Sequence, residues 1–223
     1  MRHVKSFLKK YPHWRMILYW PLFGLLFLLA EQGNIHATYY QMHCALDDLI
    51  PFCEWFVIPY LFWFVYMVGM HIYLFFKDGE EFTYMMRFII LTYSAGLIMF
   101  YLFPTTQTLR PMSFAHDNIL TQIMAHFYQF DTPTDVCPSL HVVGSLAITF
   151  AGLHCKRLKA IGWKIFFILS GTLISISTVF VKQHSALDVG AGLIIAIGAW
   201  YLIYGQATNE ATERTLVHNK TEY

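Results

Sequence analysis

Charged residues divide the sequence into long stretches of uncharged, mostly apolar positions. A helix needs about 20 such residues to cross a bilayer, and shorter ones use flanking aromatic and basic side chains. Six stretches qualify, from 16 to 32, 55 to 76, 88 to 104, 138 to 155, 165 to 181 and 189 to 204. The pattern therefore predicts an all-α, polytopic membrane protein with six transmembrane helices.

The composition supports a membrane protein and argues against a soluble one. Hydrophobic residues make up 57% of the chain and charged residues only 13%, against about 25% charged residues in soluble proteins. A chain of 223 residues has too small an interior to bury that much apolar surface away from water. The net charge of +1 offers no basic excess for nucleic acid. We expect membrane lipids around the chain and no nucleic-acid partner, while the oligomeric state stays open.

The chain is predicted to form one domain with a short tail. Residues 1–206 hold all six stretches, and residues 207–223 are polar enough to form a cytoplasmic tail. The first stretch is expected to stay in the protein, because no small-residue cleavage site follows it.

Basic residues are distributed very unequally between the connecting segments. Thirteen of the 15 Lys and Arg residues lie in the two terminal tails and in the segments 76–87 and 155–164. The intervening segments hold only Arg110 and Lys182. Because cytoplasmic loops carry the basic excess, both termini are expected to be cytoplasmic. The protein is also expected to lie in the plasma membrane, with its functional site on the extracytoplasmic face.

Polar residues concentrate in three segments on the predicted extracytoplasmic side. One follows the third stretch, one begins the fourth and one follows the fifth. Their candidate functional residues are Gln107 and Arg110, then Ser139, Leu140 and His141, and then Lys182, His184 and Asp188. Segments far apart in sequence are thus expected to meet at one face of the membrane.

Two of these segments have spacings that suit phosphate chemistry. Pro138 favours the first position of a helix, which would leave the N–H groups near Ser139 and Leu140 free to bind an anion. His184 and Asp188 are four residues apart, so a helix would place them on one face. There the carboxylate would hold one imidazole nitrogen and leave the other free as a nucleophile.

Arg110 and His141 complete the candidate set. The planar guanidinium of Arg110 matches phosphate oxygens, and an imidazole such as that of His141 can give and take a proton near neutral pH. Lys182 or Asp188 taken alone would more simply anchor a helix end at the membrane surface.

The order of these motifs resembles that of the type-2 phosphatidic acid phosphatase (PAP2) superfamily. Its three motifs are Lys-x(6)-Arg-Pro, Pro-Ser-Gly-His and Ser-Arg-x(5)-His-x(3)-Asp. The resemblance covers roughly residues 85 to 200, and the matching residues are Arg110 and Pro111, Pro138 to His141, and Ser177, His184 and Asp188.

The resemblance implies a lipid phosphatase that works without a metal or another cofactor. His184 would attack phosphorus and form a phosphohistidine, with Asp188 orienting it. His141 would protonate the leaving lipid oxygen and then deprotonate water. Arg110, Lys182, Ser139, Leu140 and Gln107 would bind the phosphate of a lipid phosphate substrate.

Two residues depart from the family pattern. Phe103 stands where the first motif has Lys, and Thr178 stands where the third has Arg. Lys182 is expected to replace one cation, and Gln107 or Gln183 to supply neutral donors. Leu140 stands before His141 where the family motif has Gly. With this larger residue, the chain is also similar to the branch that contains inositol phosphorylceramide and sphingomyelin synthases. The alternative function is therefore a phosphotransferase that moves a phospho-headgroup to a lipid hydroxyl.

The sequence also permits other interpretations. His141, His184 and Asp188 would also suit a metal-binding face, although nearby cations disfavour one. A transporter or assembly protein that kept relic motifs is the non-enzymatic alternative. Cys44 and Cys137 are expected to be small apolar residues rather than a disulfide. The segment 112–136 would act as a lid or as a selector of the headgroup.

Overall fold

The structure is a computed structural model and describes residues 2–33 and 38–205. The predicted cytoplasmic tail, 207–223, lies outside the described residues. Cys44, Cys53, Cys137 and Cys155 are free thiols.

The described chain is almost entirely helical. The α-helices are α1 (Arg2–Lys10), α2 (Tyr19–Gly33), α3 (Ala45–Leu49), α4 (Val57–Lys77), α5 (Gly79–Leu102), α6 (Ile119–Phe130), α7 (Leu140–His154), α8 (Ile161–Phe180) and α9 (Ala186–Trp200). Short 3-10 helices precede α2 (Pro12–Leu18), α4 (Glu54–Phe56) and α8 (Lys156–Leu158), and a π-helical turn (Tyr201–Gly205) follows α9. The strands β1 (Tyr40–Gln41) and β2 (Thr105–Thr106) have two residues each.

Within the described ranges, five helices are long and apolar enough to cross a membrane. They are Pro12–Gly33, Glu54–Lys77, Gly79–Leu102, Ile161–Phe180 and Ala186–Gly205. The sixth predicted span corresponds to α7, which has 15 residues and is shorter than the roughly 20 that a span needs. An all-α membrane protein is confirmed, whereas the sixth span and the orientation of the termini stay predictions.

The third span begins earlier than the sequence predicts. The segment 76–87 is predicted as a connection, but α5 is helical from Gly79 onwards. Asp78 caps the helix by accepting a hydrogen bond from the Glu81 amide at 3.2 Å. Glu80 and Glu81 lie in the first turn, where negative charge is favoured by the helix dipole. Charged residues therefore belong to this helix end and do not interrupt it.

Helix α7 lies at the centre of the bundle, where it packs against α4, α5, α8 and α9. Small residues allow this close approach, as is common at helix interfaces in membranes. A Cβ atom on Gly144 would lie 2.6 Å from the hydroxyl of Tyr93, and one on Gly152 would lie 2.5 Å from the ring of Phe167. The central position of α7 fixes where its first turn, with His141, meets its neighbours.

The connecting segments near the start of α7 are tied to one another by backbone hydrogen bonds. Strands β1 and β2 pair in parallel, with Tyr40 opposite Thr105. Thr106 in turn bridges to Thr134. The three segments before α3, after α5 and before α7 therefore form one layer. This layer lies beside the first turn of α9, because the Ser139 amide donates to the carbonyl of Asp188.

Candidate functional site

His184 and Asp188 lie together, but not on one helix as the sequence predicts. Helix α9 begins at Ala186, so His184 precedes it, Ser185 is the N-cap and Asp188 lies in the first turn. Oδ2 of Asp188 accepts from the Ser185 amide at 2.9 Å and lies 3.3 Å from Nδ1 of His184. The carboxylate favours the tautomer that has its proton on Nδ1, which leaves Nε2 of His184 as the nucleophilic nitrogen.

His141 lies in the first turn of α7 and faces His184. The two ring centroids are 5.8 Å apart. The ring of His141 stacks on Tyr60 at 4.6 Å and contacts Trp63 at 4.4 Å. Its Nε2 is buried and has no hydrogen-bond partner among the described residues. Aromatic packing thus fixes the ring and leaves one nitrogen available for proton transfer.

Helix α7 begins two residues later than predicted from Pro138. Its first residue is Leu140, and Ser139 is the N-cap. The hydroxyl oxygen of Ser139 accepts from the Val142 amide at 3.4 Å, and its own amide donates to the carbonyl of Asp188 at 3.1 Å. The interpretation of Pro138 as the first helical residue is therefore wrong. The first amides of α7, from Leu140 onwards, still lack partners within the helix.

Arg110 is held by several protein groups. Its NH1 donates to the carbonyls of Tyr128 at 3.1 Å and Asp131 at 2.7 Å. Its NH2 donates to Oε1 of Gln183 at 2.6 Å and to Oδ2 of Asp131 at 3.4 Å, and it also reaches the carbonyl of Thr132. The guanidinium lies 4.7 Å from the ring of Tyr128. Its Nε is buried without a partner among the residues that the structure describes.

Burial changes the ionisation of both members of this ion pair. It lowers the pKa of Arg110, an effect that Asp131 opposes. It raises the pKa of Asp131, which the charges of Arg110 and His184 oppose. Arg110 stays protonated in any case, and its charge favours the ionised form of the Asp131 carboxylate beside it.

Lys182 and Gln107 are also engaged by the protein. The ammonium of Lys182 donates to the carbonyls of Asp47 at 2.8 Å and Ile50 at 2.5 Å. Burial lowers the pKa of Lys182, against the charges of Asp47 and Asp48. Nε2 of Gln107 donates to the carbonyl of Lys182 at 3.1 Å. Direct phosphate binding by Lys182 and Gln107 stays a prediction, since in this structure both side chains brace the loop before His184.

Asp47 is a buried residue of the site that no sequence motif identifies. It is 1% exposed and accepts from Ser185 Oγ at 2.5 Å, from the Ala186 amide at 2.8 Å and from the Cys44 amide at 2.9 Å. Burial raises its pKa, but these hydrogen bonds more than offset burial, so the pKa lies below the ordinary value. The sequence signal was only an acidic pair, Asp47 and Asp48, with no motif spacing to His184.

The two departures from the family pattern have different surroundings. Phe103 is 48% exposed and lies 6.1 Å from the ring of Tyr40. Thr178 is buried near the end of α8, and its carbonyl accepts from the amides of Gln183 and His184. Thr178 therefore shapes the loop that presents His184, although it carries no charge.

The segment 112–136 contributes to the site through helix α6. Tyr128 donates from its hydroxyl to the carbonyl of Val181 at 2.5 Å. Asp131 follows α6 and accepts from Nε2 of Gln183 at 3.0 Å. One wall of the site is therefore formed by residues that no motif identifies.

The described residues contain no group of three or more His, Cys, Asp or Glu side chains arranged to hold a metal ion. The alternative in which His141, His184 and Asp188 bind a metal receives no support from this geometry.

Comparison with known proteins yields one finding. A family model described as the PAP2 superfamily matches residues 41–202. Searches of curated proteins and of solved structures return no match. The matched range begins before Asp47 and includes every candidate residue of the site.

Proposed function

Because the chain belongs to the PAP2 superfamily, we propose that it is a membrane enzyme that hydrolyses a lipid phosphate monoester or pyrophosphate. The reaction proceeds through a phosphohistidine on the extracytoplasmic face of the plasma membrane. The observation that carries this proposal is the pair of imidazoles 5.8 Å apart, one of them held at Nδ1 by Asp188.

The proposed reaction has two displacements at phosphorus. Nε2 of His184 attacks phosphorus, the bond to the lipid oxygen breaks, and Nε2 of His141 gives that oxygen its proton. Water then attacks the phosphohistidine while His141 takes up a proton from it, so phosphate leaves and both imidazoles return to their starting states. Asp188 stabilises His184 as positive charge develops on its ring.

The phosphoryl oxygens are proposed to lie between the start of α7 and Arg110. The first amides of α7, including that of Leu140, present N–H groups at the positive end of the helix. Ser139, Gln107 and Lys182 complete the proposed phosphate-binding set. Such fixed donors stabilise the charge that shifts onto these oxygens in the transition state.

An apolar cavity next to the site supports a lipid substrate. It has a volume of about 670 Å³ and runs between α4 and the N-terminal segment, from Trp63 and Phe64 near His141 to Phe76 at the opposite end of α4. Trp63 also contacts the ring of His141. A hydrocarbon chain attached to a phosphate near His141 would therefore have an apolar surface beside it.

A second candidate function is transfer of a phospho-headgroup from a phosphodiester lipid to a lipid hydroxyl. Both basic residues near the site, Arg110 and Lys182, already donate hydrogen bonds to protein oxygens. A phosphodiester carries one negative charge and needs less compensation than a monoester dianion. In this version, a lipid alcohol replaces water in the second displacement.

Purified protein in detergent tests the proposed chemistry. We expect His184→Gln and His141→Gln each to lower lipid phosphate turnover by at least about 10³-fold. The control is His154→Gln, because His154 lies at the far end of α7. Phosphate on His184 in wild-type protein, trapped by rapid quenching, would identify the intermediate. Turnover by His184→Gln at the wild-type rate would contradict the proposal.

A further inference from the structure

The two terminal nitrogens of Arg110 already donate hydrogen bonds to protein oxygens, so they are not free to bind a phosphate in a bidentate way. NH1 and NH2 both donate to oxygens of Asp131, at 2.7 Å to the carbonyl and 3.4 Å to the carboxylate. NH2 also donates to Gln183 at 2.6 Å. Only Nε is buried without a partner among the described residues. An incoming phosphate therefore meets an Arg whose charge is already shared with a carboxylate.

Asp131 is held in this place from more than one side. Its Oδ2 accepts from Nε2 of Gln183 at 3.0 Å, so Gln183 bridges the carboxylate and the guanidinium. The charged and titratable groups that face it are Arg110, His184, Glu31 and Tyr60. Asp131 thus acts electrostatically on the cation and on the nucleophile at once.

The other charges around the site do not restore a positive excess. The ammonium of Lys182 binds the carbonyls of Asp47 and Ile50. The carboxylate of Asp188 lies beside His184, and that of Asp47 lies on the N-terminus of α9. A reacting phosphoryl group with two negative charges would therefore meet more carboxylates than available cations.

We propose that Asp131 is a specificity-determining residue that makes the site accept a phosphoryl group with one negative charge in preference to one with two. The preferred substrate class is a phosphodiester lipid, or a phosphomonoester lipid that keeps one proton on its phosphate. This inference rests on the proposed attack of His184 on phosphorus and narrows the substrate that it acts on, and it holds whether water or a lipid hydroxyl completes the reaction.

Two lipids with identical acyl chains but different phosphate charges can test this preference. Phosphatidate is a monoester whose phosphate takes on a second negative charge as pH rises, whereas phosphatidylmethanol is a diester with a single negative charge throughout. Both yield diacylglycerol when His184 displaces the lipid oxygen, so one assay reports both reactions. Assays with and without a lipid alcohol acceptor cover both versions of the second step.

The wild-type protein should favour the diester, and its relative activity on phosphatidate should fall as pH rises through the second ionisation of the phosphatidate phosphate. Asp131→Asn should raise kcat/KM for the dianion relative to the diester by about tenfold, because one carboxylate charge is removed. The same variant should also show a smaller decrease, as pH rises, in activity on phosphatidate relative to the diester. Asp131→Glu should retain the wild-type preference, since it keeps the charge. Asp117→Asn is the matched control, because Asp117 is exposed on the same segment and binds Gln122.

The outcomes separate this inference from the proposed function. A wild-type preference for the dianion, or an unchanged ratio in Asp131→Asn, would overturn the inference while leaving the phosphohistidine chemistry in place. Turnover of neither lipid by the folded wild-type protein would overturn both. If Asp131→Asn does not fold, the wild-type pH profile still tests the inference, because relative activity on phosphatidate that does not fall with rising pH would overturn it.

Discussion

Asp188 combines two tasks within a single carboxylate. The same oxygen accepts from the Ser185 amide, which caps α9, and lies beside Nδ1 of His184. The backbone carbonyl of Asp188 also receives the amide of Ser139, so the starts of α7 and α9 are joined at this residue. The orientation of the nucleophile is thus part of the way in which helix α9 begins.

We expect Asp188→Asn to fold and to lose activity. The side-chain oxygen of Asn still caps the Ser185 amide, but the amide group cannot stabilise positive charge on His184. Turnover should fall by roughly 10³-fold or more, as for the orienting carboxylate of other catalytic triads. Steady-state kinetics together with a melting curve measure the two effects. A variant with wild-type turnover would show that the carboxylate is not needed to orient His184.

At the scale of elements, the short helix α3 holds the start of α9. Asp47 accepts hydrogen bonds from Ser185 and Ala186. The ammonium of Lys182 donates hydrogen bonds to the carbonyls of Asp47 and Ile50. Lys182 adopts a left-handed backbone conformation with φ 53°, which is strained for a residue with a side chain. These contacts hold a loop that would otherwise adopt other conformations.

The Asp47 contacts should stabilise the protein in a pH-dependent way. Because the folded-state pKa of Asp47 is lowered, its contribution is complete above the ordinary carboxyl pKa of about 4 and disappears as pH falls through the lower folded value. Asp47→Asn should cost about 2 kcal/mol at neutral pH.

Melting temperatures in detergent, measured from pH 7 downwards, test this prediction. The difference between wild type and Asp47→Asn should shrink as the medium becomes more acidic. Asp48→Asn serves as control, since Asp48 is exposed and pairs with His43. A difference that grows towards low pH would contradict the lowered pKa.

Helix starts show what a sequence pattern can predict at this scale. The apolar stretches locate the interiors of the long helices well, because burial or lipid contact must cover every turn. Their ends depend on single capping contacts, such as those of Asp78, Ser139 and Ser185. Several residues nearby can cap equally well, so composition alone does not select among them.

At the scale of the whole molecule, the charge distribution predicts which segments face the cytoplasm. The segments that carry the site have few basic residues, and the segment from Lys156 to Lys164 has four. Five helices able to span a membrane in the described part of the chain, together with α7, would return both termini to one side. Orientation therefore depends on whether α7 crosses the bilayer.

Epitope insertion can determine this topology. A tag after Met112, which is fully exposed, should bind antibody in intact cells. A tag after Lys159 should bind only after permeabilisation, because basic loops stay cytoplasmic. Both tagged proteins should keep lipid phosphate turnover, which confirms that they fold. If both sites stain in intact cells, α7 does not cross the membrane and the six-span topology is wrong.

The sequence alone determined the membrane class and the family-like motifs with His141, His184 and Asp188. The membrane class follows from composition, because a helix inside the hydrocarbon of a bilayer must be apolar. The motifs can be recognised because their residues are close together along the chain. Tertiary structure alone decided the surroundings of those motifs, including the pairing of Arg110 with Asp131 and the contacts of Asp47 with α9. These contacts join residues 21 and 139 positions apart. A hydrogen bond over such separations exists only because the packing of the bundle places its partners together, and no spacing along the chain encodes it.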